Sequence, residues 1–288
     1  MKVISWDDLG SVKSYLSQNS IQSTCLTIGG FDGNHLGHQV LFEKVLSKKN
    51  EEKSFCAGVV TFARSPRGSK SENFYKGELS TLSQKIQYFE KQGFDFCLII
   101  NFDSEFKKTL GIDFFDRLLG YCNMKFLSVG QDFRCGYKGS MGITEISEYF
   151  EKNNLELSIC KDVILDNQRI SSTLIRDFIY NGEFEKVENF LGRKYVLQLE
   201  TSIIKSVSPL ENENVDIIIN KKNILQVLPK ENSFLVKIKN QNFSIQGKLF
   251  ILENEICINL NKKFFYENIK NFKSFEVEFK YTIKTIIP

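Results

Sequence analysis

The hydrophobic period of this chain changes once, near Val196, and that change constrains the fold more than any other feature. Before it, short unbroken apolar runs alternate with amphipathic stretches. "CLTIGG", "SFCAGVVTF", "FDFCLIINF", "KFLSVG" and "LELSIC" read as buried strands. Between them, "HQVLFEKVLSKK" reads as a helix, with Leu41/Val45 and Phe42/Leu46 one turn apart. "TLSQKIQYFEKQG" reads as a helix closed by Gly93, and "IDFFDRLLGYC" and "ITEISEYFEKN" as two more. Strands that alternate with helices predict a parallel sheet covered on both faces. After Val196 the period becomes two. "SFEVEFKYTIK" puts Phe275, Val277, Phe279, Tyr281 and Ile283 on one side and Glu276, Glu278, Lys280, Thr282 and Lys284 on the other. "SFLVKIKN", "FSIQGKLFILE" and "EICINL" read similarly, and "SVSPLENENVD" carries turn and solvent signals near the junction. The expectation is an α/β domain over residues 1–195 and a small antiparallel β-barrel-like domain over residues 196–288.

A chain of 288 residues suits two such domains. Residues 1–195 balance to zero charge, so the net +3 falls wholly on residues 196–288, where every cation is a lysine. All arginines lie at or before Arg193. Arginine is the better planar fork for phosphate, so phosphate chemistry is expected in the first part. A net charge this small gives no reason to expect a nucleic-acid partner. The 7 cysteines are odd in number, contain no CxxC pair and sit mostly in apolar runs, as reduced core thiols would. "MKVISWDDLG" has acidic residues where a signal peptide would have an apolar run, and no stretch is long enough to span a membrane. A cytoplasmic protein with no membrane partner is expected.

Both histidines of the chain, His35 and His38, fall in "TIGGFDGNHLGHQVLFEKV", just after a glycine-rich turn. A pair at that spacing can ligate metal, pack in a core or face a phosphate. A structural zinc site needs four ligands, and no cysteine pair stands nearby at ligand spacing. The phosphate reading accounts for more. A strand ends in Gly29 and Gly30, which allow close backbone approach. A helix then begins at about His38, with its amides and positive dipole end toward the crevice. Neither a Walker A motif nor a GxGxxG is present, which excludes a P-loop and a standard dinucleotide fingerprint. The two glycine-rich loops, Gly29–Gly37 and Gly130–Gly142, both follow strand ends. They are expected to open onto the same sheet edge, where ligands of such sheets bind.

"GGFDGNHLGHQ" resembles the HxGH-type signature of the nucleotidyltransferase superfamily. In its longer form it is similar to the FAD synthetase module of prokaryotic bifunctional riboflavin kinase/FAD synthetases. "VGQDFRCGYKGSMG" (129–142) resembles that module's second glycine loop, and "ISSTLIRDFIYNGEFEKVENFLGRKY" (170–195) its ISSTxIR segment and closing LGR. The resemblance implies a Rossmann-like nucleotidyltransferase domain that transfers AMP from ATP to FMN, giving FAD and pyrophosphate. It implies catalytic roles for His35, His38 and Arg176, with Arg176 on the β- and γ-phosphates. It places Gly29, Gly30, Phe31, Asp32, Gly33, Gly37, Ser171, Ser172 and Thr173 on ATP, and Phe62, Asp132, Phe133, Arg134 and Gly136 on the flavin. From the residues alone, Ser171, Ser172 and Thr173 are helix caps, followed by Leu174/Phe178 and Ile175/Ile179 as a buried side. Asp132 and Phe133 read equally well as a turn cap followed by a core residue. Arg134 and Lys138 are either solvated loop charges or contacts of the FMN phosphate. Mg²⁺ is expected with the triphosphate, its protein ligands unknown.

The match has gaps. Where the family shows TFxPHP this chain reads "TFARSP", with Arg64 and Ser65 in place of Pro and His, and Asn34 stands where Val is usual. The kinase module's glycine-rich GRxLGxPTAN stretch is missing. None of Pro66, Pro209, Pro229 and Pro288 is followed by Thr, and "VLQLETSIIKSVSPLENENVD" holds neither glycine nor arginine. A phosphate cradle without glycine is hard to build. The expectation is therefore a degenerate kinase-like domain behind an FMN adenylyltransferase. The alternatives are the full bifunctional enzyme, another HxGH enzyme acting on a different phosphate substrate, and a flavin-binding protein without catalysis.

Overall fold

The computed structural model describes residues 1–64, 76–210 and 213–283, with side chains up to residue 280. Ser65, Pro66, Lys284 and Pro288, and the side chains of Tyr281, Thr282 and Ile283, lie outside that description. The described chain forms two compact units, one of residues 1–64 and 82–170 and the other of residues 76–81 and those from 171 onward.

The first unit runs β1 (Lys2–Ser5), α1 (Gly10–Gln18), β2 (Ser23–Ile28), α2 (Leu36–Glu51), β3 (Phe55–Phe62), α3 (Leu82–Gln92), β4 (Phe96–Ile100), α4 (Gly111–Cys122), β5 (Met124–Gly130), α5 (Ile143–Lys152) and β6 (Glu156–Cys160). A two-residue hairpin, β7 (Ile164–Leu165) with β8 (Gln168–Arg169), follows. All six main strands pair in parallel, in the order β1-β4-β3-β2-β5-β6. The parallel sheet is therefore as expected, with an extra edge strand and helix at the N-terminus that the apolar pattern did not announce. Parallel pairing buries strands on both faces, and β2 shows it, with all six residues buried. One core layer joins Trp6, Val12, Phe114, Phe115, Ile146 and Phe150. The other joins Phe31, Phe42, Val45, Phe89 and Phe94.

From β2 the chain builds outward through β3 and β4, then crosses back to lay β5 on the other side of β2. The strand order thus reverses between β2 and β5. In open α/β sheets this switch point, beyond the carboxyl ends of the strands, is where ligands bind. Both glycine-rich loops leave from it.

The second unit opens with α6 (Ser172–Tyr180) and α7 (Phe184–Leu191). A sheet follows of β9 (Val196–Glu200), β10 (Ile204–Pro209), β11 (Asn214–Asn220), β12 (Asn232–Lys239), β13 (Ser244–Ile251), β14 (Glu255–Asn261) and β15 (Ser274–Ile283), with α8 (Lys262–Glu267) before the last strand. Its order is β10-β11-β14-β13-β12-β15-β9, antiparallel throughout, an open half-barrel as the period-two pattern predicts. Alternate residues fill its core. Val215, Ile217 and Ile219 of β11 face inward with Phe234, Val236 and Ile238 of β12. Phe184 of α7 stacks on Phe279 with ring centroids 4.2 Å apart. Most of "SVSPLENENVD" is strand, residues 206–209 in β10 and 214–216 in β11, which pair antiparallel, while Glu211 and Asn212 lie outside the described residues. No described helix is long and apolar enough to cross a membrane.

Candidate active site

Beyond Ile28 the chain makes a tight turn before α2. Phe31 (φ 45°), Gly33 (φ 81°) and Asn34 (φ 43°) take left-handed backbone conformations, which glycine and asparagine accept readily and which are costly for Phe31. The turn is fixed from within. Phe31 is 2% exposed and its ring meets Phe42, Phe89 and His38 edge-on at 5.0, 5.9 and 5.2 Å. A side chain at Gly29 would strike that ring, 2.9 Å away. Asn34 is buried, and its N–H donates to the carbonyl of Phe31 at 3.2 Å.

The helix starts two residues earlier than its sequence suggests. His35, in extended backbone, is the N-cap of α2 and makes no side-chain cap bond, and His38 is the third helical residue. Their imidazoles stack face to face at 3.6 Å with an interplanar angle of 17°. Gly37 leaves the stack room, since a Cβ there would lie 3.2 Å from the His35 ring, a tight contact. The sequence therefore brings two imidazoles together at the positive end of a 16-residue helix. Of the expected residues, Gly29, Gly30, Phe31, Asp32, Gly33, His35, Gly37 and His38 occupy this one turn.

One residue of the turn's support was not among those expected. Lys85 on α3 is 2% exposed, and its Nζ donates to the carbonyls of Phe62 (2.8 Å) and Gly30 (3.2 Å). Thr61 Oγ1 donates to the same Gly30 carbonyl at 3.3 Å. The available signal was the position of Lys85, one helical turn before buried Phe89 on the apolar side of α3. Its charge works against the burial that pushes the Cys97 thiol up to about 12.

The second glycine loop is held differently. Cys135 and Met141 pair across it, at 2.9 and 3.1 Å. Gly136 (φ 77°) passes so close to Gly111 that a Cβ would come within 2.6 Å of its nitrogen. Arg134 lies along the loop, with Nε donating to the Gly139 carbonyl at 2.7 Å, and is thus a brace of its own loop. Asp132 pairs with Arg169 Nη2 at 2.6 Å, while Arg169 Nε meets Asp162 at 2.9 Å and Gln131 donates to Asp162 at 2.7 Å. The Asp132 bond holds the Arg169 guanidinium above its ordinary value. Phe133 is half-buried against the core, and Lys138 sits 5.2 Å from the Tyr137 ring centre. Phe62, also half-buried, packs edge-on to Phe102 at 5.6 Å. Arg64, the described member of the departed TFxPHP match, is exposed.

Ser171, Ser172, Thr173 and Arg176 belong to the second unit. Ser171 caps α6, its Oγ accepting from the Leu174 N–H at 3.2 Å. The buried side of α6 is Ile175, Arg176, Phe178 and Ile179, whereas Leu174 is only half-buried. Arg176 takes the place expected of an apolar residue. It is 8% exposed, and its Nε donates to the Gly77 carbonyl at 2.7 Å. All seven cysteines are unpaired, six of them buried. Among the described residues, no group of three or more His, Cys, Asp or Glu side chains could hold a metal ion.

The FAD synthetase family model matches residues 17–174, a span that holds the histidine turn, Lys85 and the second glycine loop. A protein of Haemophilus influenzae named bifunctional riboflavin kinase/FMN adenylyltransferase is 34% identical over 176 residues, 61% of this chain and 57% of its own length. The chain therefore spans less than three fifths of that relative. The FAD synthetase of Listeria monocytogenes is 26% identical over 61% of this chain and 71% of its own length. The crystal structure of a protein from Streptococcus pneumoniae described as a macrolide-efflux protein aligns with a TM-score of 0.75, covering 100% of this chain and 93% of that one. At 17% identity that likeness shows a shared two-unit fold and says nothing of activity. The family match takes in more than half of the 288 residues, and the chain belongs to the FAD synthetase family.

Proposed function

We propose that this chain transfers AMP from ATP to FMN. An oxygen of the FMN phosphate attacks the α-phosphorus of ATP, the new O–P bond completes FAD, and the bond to the β-phosphate oxygen breaks to release pyrophosphate. Such a reaction calls for positioning and charge stabilisation, without a covalent nucleophile. The observation that carries the reading is the pair of stacked imidazoles at the start of α2, beside a glycine turn at the switch point of the sheet, inside the family match. His35 and His38 are assigned to phosphate oxygens that gain negative charge as the reaction proceeds. Gly29, Gly30, Phe31, Asp32, Gly33 and Gly37 shape the turn around the phosphates. Arg176 is assigned to the β- and γ-phosphates, with Ser171, Ser172 and Thr173 on ATP, on the strength of the ISSTxIR resemblance. Phe62, Asp132, Phe133, Arg134 and Gly136 are assigned to the flavin side. Mg²⁺ enters with the triphosphate. Magnesium is bound largely by phosphate oxygens and water, so a chain without a carboxylate cluster among its described residues suits it as part of the substrate.

As a functional division we assign residues 1–195 to the transferase and residues 196–288 to a kinase-like domain that lacks kinase activity. Gly247 is the only glycine of the latter. A Cβ there would lie 2.6 Å from Ile238 Cδ1 and 2.9 Å from the Asn259 carbonyl, so it is committed to strand packing and is not available to a phosphate loop. Seven unpaired thiols support a reducing, cytoplasmic setting. Purified protein with Mg·ATP, offered FMN in one reaction and riboflavin in another and followed by chromatography, tests both statements. FAD from FMN with riboflavin untouched is expected. FMN or FAD appearing from riboflavin would restore the bifunctional reading, and no product from either would leave a flavin-binding protein.

A further inference from the structure

The strongest unassigned feature is a fully buried ammonium. Lys85, 2% exposed, shares the inner side of α3 with Phe89, where a leucine or methionine would pack without desolvating a charge. Its Nζ instead joins the carbonyl of Phe62, the last residue of β3, to that of Gly30, in the turn that follows β2. Thr61 gives Gly30 a second donor.

That clamp has a consequence for the turn. Among the described residues no peptide bond is cis, so the Phe31 N–H points opposite to the Gly30 carbonyl. Anchoring the carbonyl to Lys85 thus fixes the direction of the Phe31 N–H, away from the ammonium. Phe31 itself holds a left-handed conformation that persists only where its surroundings over-determine it. The residue after Asn34 is His35, and the His38 ring rests against Phe31.

We propose that Lys85 is a positioning residue for the adenylyl transfer, holding the glycine turn in the strained form that sets His35 and His38 in their stack; this rests on the function proposed above. The ammonium acts through main-chain carbonyls and touches no reacting atom.

The test uses the full chain with Lys85→Met, which keeps the stem and removes the donors, and Lys85→Arg, which restores them. Rates of FAD formation are measured well below each variant's melting midpoint and normalised to folded protein. Lys85→Met should lower kcat about 10²-fold, as small displacements of reacting groups do. Lys85→Arg should recover most of that loss, with the KM for FMN little changed in both. The chain has only 2 histidines, so in tag-free protein their imidazole NMR signals can be assigned by elimination. Both signals should shift or broaden in Lys85→Met and return in Lys85→Arg. A lowered melting point with normal kcat and unmoved imidazole signals would make Lys85 a structural residue only and overturn the proposal. If Lys85→Met fails to fold, Lys85→Gln, whose shorter neutral amide cannot bridge both carbonyls, takes its place, and normal kcat with unmoved imidazole signals there overturns it equally. Wild-type protein that makes no FAD would refute the transferase reading, while the NMR result would still decide the role of Lys85.

Discussion

The two glycine-rich loops of the first unit leave neighbouring parallel strands at one sheet edge, yet they are built in opposite ways. The first is set into the core. Phe31, Asp32, Asn34 and His35 are each at most 5% exposed, and a buried ammonium closes the turn from beneath. The second lies on the surface, where Asp132 and Arg134 are exposed and the loop is tied by its own backbone bridge and by exposed ion pairs. Under the proposed function the difference separates two tasks. A group that must meet a phosphorus atom to within a fraction of an ångström belongs on a rigid support. A loop that admits and releases a large substrate works better where its ties are weak.

The histidine turn carries the largest expected effect. His35→Ala and His38→Ala should each lower kcat by about 10²–10³, as the loss of a single oxyanion donor does. Their stacking predicts that the double variant loses little more than the worse single one, because each ring orients the other. Fully multiplicative losses, read from initial rates of FAD formation, would mean that the rings act independently and that the stack is incidental.

Glycine substitutions set one loop against the other in stability. Gly136→Ala puts a Cβ 2.6 Å from the Gly111 nitrogen at a positive φ, and should cost about 1–3 kcal/mol in urea unfolding. Gly30→Ala meets nothing within 4 Å, so its stability should stay within about 0.5 kcal/mol of wild type. Any activity lost in Gly30→Ala would then report on the ligand and not on the fold. A large stability loss at Gly30 with none at Gly136 would reverse the contrast drawn between the loops.

Cys135 gives the second loop its own pH signature. Burial pushes this thiol up to about 12 from 9.0. The unfolded thiol ionises first, so the stabilising contribution is fully present below pH 9.0 and is lost as pH rises from there toward about 12. Alkylation of Cys135 in the folded protein should therefore remain slow well above pH 9.0, and unfolding should accelerate it sharply. Rapid modification of the native protein near pH 9.0 would show that the loop opens more readily than its backbone bridge implies.

Much of this was legible in the sequence, for reasons that also explain the exceptions. Strands β2 to β6 and the four helices between them announce themselves as apolar runs, most plainly in the four inner strands, which are apolar on both faces; β6, at the sheet edge, buries only Cys160. β1 does not announce itself, because only Ile4 of its four residues is buried, and α1 buries only Val12 and Leu16. The start of α2 was misplaced because His35 caps the helix in extended backbone without a side-chain bond, a use of histidine that cap preferences do not anticipate. Lys85 is not legible as a support of the turn, because a lysine on an apolar side of a helix reads as a flaw in the pattern. Arg176 is legible through its motif alone, because periodicity puts Leu174 on the buried side, where Leu174 is only half-buried and the arginine is buried instead. The strict alternation of β15 conceals a register shift against β12 between Leu235 and Val236, since a bulge is set by the partner strand as much as by the strand itself.

The smallest effect tests the surface loop where it is weakest. Arg169 joins Asp132 and Asp162, with all three side chains between 29% and 57% exposed. Exposed pairs of this kind contribute about 0–1 kcal/mol each and fade with salt. Arg169→Ala should therefore leave the melting midpoint almost unmoved, and added salt should shrink even that difference. If the second loop serves the flavin, the same variant should raise the KM for FMN while the KM for ATP and kcat stay near wild type. The reason is that the tie orients Asp132 and leaves the histidine turn alone. A rise in the KM for ATP instead would mean that the two loops are coupled across β2 and β5, so that the rigid and the adaptable parts of this edge are one device. A stability loss well above 1 kcal/mol would mean that the β7–β8 hairpin anchors the loop as firmly as the core anchors its neighbour.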